Sequence, residues 1–143
     1  MGNEAVDTEK TAKLITRAGS TPSIAGDHRA FTGNVRIDML FTPNDDAEYA
    51  AAYVTFEPGA RTFWHTHPVG QRLMVTYGCG LIGTEDGRVE EIKTWDVVWF
   101  PSGLKHRHRA SPTTGMTHLA LTGEKDGSNV TWLEEVSDKQ YHP

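Results

Sequence analysis

Three histidines and one glutamine in this sequence have the residue types and the spacing of a transition-metal site. His65 and His67 lie two residues apart, so on a β-strand both imidazoles would point to the same side. Gln71 follows a Pro-Val-Gly step that can turn the chain back toward the same point, and His106 comes later, in the segment PSGLKHRH. A lone His-x-His pair also arises by chance, so the prediction depends on all four residues. These nitrogen and oxygen donors suit Mn, Fe, Co, Ni or Zn and leave the choice among those metals open.

A site with these ligands is expected to work as a Lewis acid. Three neutral imidazoles and a neutral amide leave the full charge of a divalent cation uncompensated, whereas glutamate in place of Gln71 would reduce it by one. The amide therefore predicts a stronger Lewis acid that holds its metal less tightly. Iron oxygenases typically use two histidines and a carboxylate, so Gln71 favours chemistry without redox change.

Two further histidines are candidates for proton transfer. His108 would face the same way as His106 on an extended segment, and His118 is the one titrating group in an apolar stretch. The simpler interpretation of His118 is a core histidine bonded to a backbone carbonyl. The functional interpretation is a general base, because a neutral imidazole near pH 7 suits proton transfer. Phe63 shares the strand parity of His65 and is expected to wall the same cavity.

Short strands are predicted to position these side chains. Apolar and polar residues alternate over 33–41 and 49–56, as on half-buried strands. A strand over 72–77 is expected to end in a turn at Gly78-Cys79-Gly80. The uninterrupted apolar run at 97–100 predicts a strand buried on both faces.

Turn signals separate the remaining short strands, and together the strands predict one all-β domain. Asp-Gly pairs at 86–87 and 126–127 predict hairpins, and Ser137 is expected to cap a helical turn. About nine short strands without a helical period predict a sandwich or barrel. This domain is expected to span residues 29–143, after a flexible N-terminal arm over 1–28 that could pair with a partner subunit.

Composition argues against several classes of partner. The chain has 143 residues, enough for one domain, and a net charge of −5, which disfavours nucleic acids and anionic membranes. No apolar run approaches the roughly 20 residues that span a bilayer, and the N-terminus lacks the apolar core of a signal peptide. The single cysteine, Cys79, excludes an internal disulfide and suits a reducing cytoplasm. We therefore expect a cytoplasmic protein with no nucleic-acid or membrane partner.

The two ligand-bearing segments resemble the two motifs of the cupin superfamily. The first reads GxxxxxHxHxxxQxxxxxxG over 59–78, and the second contains PxGxxH over 101–106. Three positions depart from the usual pattern. Gln71 stands in place of glutamate, Trp95 in place of the glycine that opens the second motif, and Ala110 in place of its closing asparagine. The last two departures lie outside the ligand set.

Longer strings resemble the small manganese cupins that act as bacterial hydroxynitrile lyases, among them GNVRIDMLF, VTFEPGARTFWHTHPVGQ and DVVWFPSGLKHRH. The resemblance runs from about residue 31 to 141. It implies a double-stranded β-helix, or jelly-roll, barrel that holds Mn²⁺, with Fe²⁺, Zn²⁺, Ni²⁺ and Co²⁺ as alternatives. It assigns the metal ligands to His65, His67, Gln71 and His106, catalysis to His118, and the substrate cavity to Ala52 and Val54. His108, which rests on its spacing from His106 alone, is the lesser candidate for catalysis.

The expected function is cleavage or formation of cyanohydrins, with an aldehyde and HCN as the products of cleavage. The metal would lower the pKa of the substrate hydroxyl and a histidine would take its proton. Two alternatives stay open: an iron-dependent dioxygenase acting on a small organic substrate, and a non-catalytic cupin that binds a small molecule. A homo-oligomer, either a dimer or a tetramer, is also expected.

Overall fold

The computed structural model describes residues 14–142, whose regular secondary structure is almost entirely β-strand. In chain order the strands are β1 (Ser23–Ala25), β2 (Phe31–Thr32), β3 (Val35–Phe41), β4 (Tyr49–Phe56), β5 (Arg61–Thr62), β6 (His65–Thr66), β7 (Gln71–Thr84), β8 (Val89–Lys93), β9 (Val97–Phe100), β10 (His106–Ala110), β11 (Met116–Gly123) and β12 (Thr131–Trp132). One helix, α1 (Asp138–Tyr141), follows them. The all-β prediction is confirmed.

The strands form two antiparallel sheets that share β7. The first sheet has the order β1-β3-β4-β11-β7-β9, and the second has the order β2-β5-β10-β7-β8, with β6 between β10 and β12. Apolar side chains from both sheets meet between them and form the core, including Val54, Phe56, Leu73 and Phe100 of the first sheet and Phe31, Ile92 and Ala110 of the second. The curled pair of sheets is the jelly-roll barrel that the cupin resemblance implied.

The predicted turn at Gly78-Cys79-Gly80 is wrong, because β7 continues through it. Residues up to Gly78 pair with β11, and residues from Cys79 onward pair with β8 and β10. Gly78 has a φ of 72°, and a Cβ there would collide with the carbonyl oxygen of Gly115. The glycine therefore lets the strand bend and pass close to its neighbour while it crosses from one sheet to the other.

Two other predictions need correction. The strand β9 is buried on one face only: Val98 and Phe100 are buried, while Val97 and Trp99 are 54% and 51% exposed. It lies at the edge of the first sheet, and no layer of the described structure covers its outer face. The 126–127 turn forms, but the strands beside it do not pair as a hairpin, because β12 pairs with β6. The hairpin at 86–87 is confirmed by the pairing of β7 with β8.

The C-terminal segment packs against the outside of the second sheet. Ser137 caps α1 as predicted, and it exchanges reciprocal hydrogen bonds with Gln140. The buried Tyr141 hydroxyl donates to the carbonyl of Ala110 at 3.0 Å. The Arg109 guanidinium lies 4.2 Å from the centre of the tyrosine ring. These contacts cover the outer face of β10, so all five of its residues are buried.

The expected N-terminal arm lies partly outside the described structure. Residues 1–13 are not described, whereas Ser23–Ala25 forms β1 and pairs with β3. The boundary between arm and domain at residues 28 and 29 stays a prediction. Among the described residues, no helix has the length and apolar character needed to cross a membrane.

Candidate metal centre and cavity

Two strands and one loop bring three of the predicted ligands together. His65 on β6 and His106 on β10 are direct partners in the second sheet, and their ring centres are 4.2 Å apart. His67 follows β6, and its ring lies 5.0 Å from that of His65 and 5.1 Å from that of His106. All three side chains are buried. The i, i+2 spacing therefore places the first two imidazoles together, as predicted, and long-range strand pairing adds the third.

Backbone carbonyls orient the three rings in the same way. The Nδ1 atoms of His65, His67 and His106 lie 2.8, 2.7 and 2.9 Å from the carbonyl oxygens of Phe63, Asn129 and Leu104. A carbonyl oxygen only accepts, so each Nδ1 carries the proton and each Nε2 keeps a free lone pair. The Nε2 atoms of His67 and His106 are buried without a hydrogen-bond partner. This is how metal-binding histidines are held.

Gln71 supplies an oxygen atom that, like these nitrogens, is buried without a hydrogen-bond partner. Its Nε2 donates to the hydroxyl of Thr122 at 3.0 Å, which fixes the orientation of the amide. The Oε1 atom is then buried without a partner. A buried carbonyl oxygen without a donor is costly unless something outside the protein satisfies it. Together with the unpaired imidazole nitrogens, this oxygen forms a donor set that fits a divalent transition metal.

His108 lies close to the same centre. The ligand nitrogens of His65, His106 and His108 all lie within 4.8 Å of one another, so His108 could replace His67 as the third imidazole. The Nδ1 of His67 donates to a carbonyl, like those of the other two ligands. The Nδ1 of His108 instead faces Nε2 of His118 at 3.1 Å. The hydrogen bonds to backbone carbonyls, which His67 shares with His65 and His106, therefore favour His67 over His108 as the third imidazole ligand.

Burial keeps all five histidines neutral near pH 7. Loss of hydration lowers the pKa of His106 and of His118 to about 4 in each case. The pKa values of His65 and His108 are well below the ordinary value, first because of burial and then because of neighbouring imidazoles. Burial lowers the pKa of His67 as well. A neutral imidazole is the form that binds a metal or accepts a proton.

A cavity of about 150 Å³ opens beside these histidines. Its apolar wall consists of Phe31, Ala52, Val54, Ala120, Val130 and Trp132. Its polar groups are Thr62, His65, His67, Gln71, His108, His118, Thr122 and Asn129. The expected lining residues Ala52 and Val54 are therefore in place, and so are both candidates for proton transfer.

Phe63 is not part of this wall. Strand β5 ends at Thr62 and β6 begins at His65, so the alternation of faces does not continue through Phe63. The Phe63 amide donates to the carbonyl of Ala30, and its side chain is half-buried outside the cavity. Thr62 lines the cavity in its place.

Several lining residues were not identified from the sequence. Ala120 and Thr122 share the parity of His118 on β11, a signal that was present in the alternation. Trp132 reaches the cavity because it pairs with His65 across β12 and β6. That pairing joins segments far apart in the chain, and no local pattern indicates it.

Comparison with known proteins places this architecture among cupins. The family model described as "Cupin domain" matches residues 52–121. An (R)-mandelonitrile lyase of Granulicella tundricola is 58% identical over 127 residues, which cover 89% of this chain and 97% of the relative. Among solved structures, a cupin-like protein of Thermotoga maritima is 34% identical with a TM-score of 0.77, over 90% of this chain and 94% of that one. The polyketide cyclase RemF of Streptomyces resistomycificus shares the fold at 18% identity, with a TM-score of 0.67 and coverage of 90% and 91%.

Proposed function

This chain belongs to the cupin family, and we propose that it is a metal-dependent lyase that cleaves or forms cyanohydrins. The observation that carries the proposal is the position of His118. This buried, neutral imidazole lines the same small cavity as three of the four candidate metal ligands, His65, His67 and Gln71. Such an arrangement suits removal of a proton from a hydroxyl group beside a Lewis acid. The relationship to a protein named (R)-mandelonitrile lyase supports this substrate class.

The metal is proposed to be Mn²⁺, with Fe²⁺, Zn²⁺, Ni²⁺ or Co²⁺ as alternatives, and the ligands His65, His67, Gln71 and His106. When bound, a divalent cation supplies Lewis acidity, which lowers the pKa of a hydroxyl group next to it. The ligand set of this chain is uncharged, which favours that role over redox chemistry. The carbonyl bonds to the ligand rings and the hydrogen bond from Gln71 to Thr122 hold the donor atoms in place.

The contact between His108 and His118 couples the protonation states of the two residues. Both are neutral, so one nitrogen of the pair donates across the 3.1 Å contact and the other accepts. If His118 Nε2 donates, then His118 Nδ1 keeps its lone pair and His108 Nε2 carries a proton. If His108 Nδ1 donates, these roles are exchanged. In either state the pair offers one acceptor and one donor, because both outer nitrogens are buried without a partner.

We assign the acceptor to His118 Nδ1. Cleavage then moves the substrate hydroxyl proton to this nitrogen. The electron pair of that bond forms the carbonyl group, and the electrons of the C–C bond leave with cyanide. A proton from the histidine pair completes HCN, so the atoms and charges balance. The apolar wall of the cavity limits access of water to the reacting groups.

The iron dioxygenase alternative fits the cavity less well. No aspartate or glutamate lines this cavity in the described structure, whereas oxygen chemistry at non-haem iron is typically served by two histidines and a carboxylate. A non-catalytic cupin would retain the metal without turning over a cyanohydrin. The assay below separates that alternative from a lyase.

The outer face of the first sheet supports a homo-oligomer. Tyr53, Leu119, Met74 and Val97 lie in register across four adjacent strands and point away from the core. Trp99 extends this row along β9, and Tyr53, Val97 and Trp99 are each more than a third exposed. Contiguous apolar surfaces of this kind usually mark an interface. We propose that a second copy of the chain covers it, and we propose a cytoplasmic location from the single cysteine alone.

The size and charge of this face suit a second copy. Six strands about 4.8 Å apart, with several residues each at about 3.4 Å, give a face of about 600 Å² in projection. The accessible area is larger and approaches the roughly 800 Å² per partner of a stable dimer. Asp38 lies beside Tyr53 toward one edge, and Arg72 lies beside Trp99 toward the other. A two-fold axis parallel to the strands would bring Asp38 of one copy toward Arg72 of the other.

The proposed activity is tested by loading the purified protein with Mn²⁺ and measuring HCN release from (R)-mandelonitrile. Elemental analysis of the same sample gives the metal content per chain. We expect about one metal per chain and a rate that chelation abolishes and Mn²⁺ restores. A metal-loaded protein that releases HCN no faster than its chelated form would contradict the proposal and leave a binding function.

A further inference from the structure

The cavity contains a fully buried hydroxyl group, that of Thr62. Thr62 is the last residue of β5, its side chain is fully buried, and it lines the cavity together with His108 and His118. Its Oγ1 accepts a hydrogen bond from the backbone amide of His108 at 3.1 Å. Thr62 is therefore fixed beside the reacting groups without belonging to the proposed ligand set.

The direction of that hydrogen bond leaves the hydroxyl proton of Thr62 free. A backbone N–H can only donate, so Oγ1 is the acceptor in this contact. The hydroxyl proton must point elsewhere, and no acceptor for it is found among the described residues. A buried donor without an acceptor is unfavourable, and a ligand in the cavity can remove that cost. Thr62 thus presents a hydrogen-bond donor to whatever fills the cavity, while one lone pair of its oxygen is already engaged by the His108 amide.

The other hydroxyl and amide groups of the cavity have different surroundings. Thr122 also accepts a fixed donor, but that donor is Gln71, and the contact serves to orient a proposed ligand. Asn129 lies in the loop before β12 and is half-exposed, so water competes for its side chain. Thr62 is the fully buried one of the three.

We propose that Thr62 donates its hydrogen bond to the nitrile nitrogen of the cyanohydrin and retains it as cyanide leaves. This deepens the proposed function and rests on it. The nitrile nitrogen is an acceptor only, and negative charge grows on the cyanide as it takes the electrons of the C–C bond. In the proposed mechanism His118 accepts the proton of the substrate hydroxyl, and a metal held by the four ligands would lower the pKa of that hydroxyl. Thr62 keeps its own proton throughout, so it stabilises the charge of the leaving group as an oxyanion-hole donor does.

The test compares Thr62→Val with Thr62→Ser in the Mn²⁺-loaded protein. Valine matches the shape of threonine but removes both the hydroxyl donor and the acceptor of the His108 amide, whereas serine keeps both. We expect kcat/KM for HCN release from (R)-mandelonitrile to fall about 10- to 100-fold in Thr62→Val and to stay within about threefold in Thr62→Ser. Thr76→Val is the matched control. Its hydroxyl donates to the Thr117 carbonyl and is absent from the cavity, so the rate should not change.

A second ligand separates a nitrile contact from a change of cavity shape. Benzyl alcohol has the ring and the hydroxyl of mandelonitrile but no nitrile, so its inhibition constant should be equal in wild type, Thr62→Val and Thr62→Ser. Equal losses of benzyl alcohol affinity and of kcat/KM in Thr62→Val would overturn the inference and make Thr62 structural. Wild-type kcat/KM in Thr62→Val would overturn it as well.

Two further outcomes are distinguishable. If Thr62→Val does not fold, Thr62→Cys replaces it, because a thiol is a much weaker donor. Turnover of that variant at the wild-type rate would refute the donor role. Failure of the metal-loaded wild type to release HCN would refute the proposed function itself, and the nitrile contact with it.

Discussion

Replacement of His118 by glutamine tests whether this side chain is held neutral by burial. Burial lowers the pKa of His118 to about 4 in the folded protein, whereas the ordinary value is 6.5. Below pH 6.5 the unfolded chain takes up a proton that the folded protein does not accept until about pH 4. The free energy of unfolding therefore decreases as the pH falls through this window and is unaffected above it. Between pH 7.5 and 5, His118 alone should account for about 2 kcal/mol of the decrease.

Glutamine does not titrate, so the variant should lose this share of the pH dependence. Urea unfolding of the chelated protein at pH 7.5 and pH 5 measures it, since a bound metal would add a pH dependence of its own. A slope of about 1–3 kcal/mol per molar urea turns the expected 2 kcal/mol into a midpoint difference on the order of 1 M. Wild-type protein should show the larger decrease. His28→Gln, at an exposed histidine, is the control and should behave as wild type.

The comparison depends on the difference between the two pH values, so a constant effect of the substitution on packing cancels. Equal pH dependence in His118→Gln and wild type would refute the reasoning, because His118 would then titrate alike in the folded and unfolded chain. The same variant should retain its metal and lose about 10²- to 10⁴-fold in the rate of HCN release. Near wild-type turnover would transfer the role of base to His108.

Four further predictions concern the ligands, the C-terminal segment and the outer face. Gln71→Glu should keep its metal and lose rate, because the added charge weakens the Lewis acid; unchanged turnover and metal content would exclude residue 71 as a functional ligand. The double variant His65→Ala/His106→Ala should lose metal by elemental analysis, and full stoichiometry would contradict the site. Tyr141→Phe removes the hydrogen bond to β10 and should lower the free energy of urea unfolding by about 1 kcal/mol, where no change would show the bond to be negligible. Trp99→Lys should reduce the mass in light scattering to that of one chain, and a mass equal to that of the wild-type oligomer would show that this face is not the interface.

The local patterns of the sequence were sufficient for single strands. The strand predicted over 49–56 has the bounds of β4, and its second half alternates as expected, with Val54 and Phe56 buried and Tyr53 and Thr55 exposed. The same patterns failed where long-range packing decides. The segment Gly78-Cys79-Gly80 was interpreted as a turn, although its glycines permit a strand to bend past a neighbour. The run at 97–100 read as fully buried, because an edge position cannot be recognised from hydrophobicity alone.

The candidate site divides in the same way. The pair His65 and His67 follows from strand parity, and the motif resemblance adds Gln71 and His106. Parity then fails at Phe63, because two residues without strand structure separate β5 from β6. The contact between His108 and His118 depends on the adjacent placement of β10, β7 and β11, which only the folded sheets reveal.

The continuous strand β7 has a consequence for how the protein unfolds. Its first half carries Gln71 and pairs within one sheet, and its second half pairs with β10, which carries His106. Neither sheet can come apart without removing a strand from the other. The two halves of the barrel should therefore open as one cooperative unit, and slow amide hydrogen exchange should extend without a break along β7. New chain termini would be tolerated at the exposed Asp126-Gly127 turn. They would not be tolerated within β7, because a cut in this strand would separate the segment that carries His65, His67 and Gln71 from the segment that carries His106.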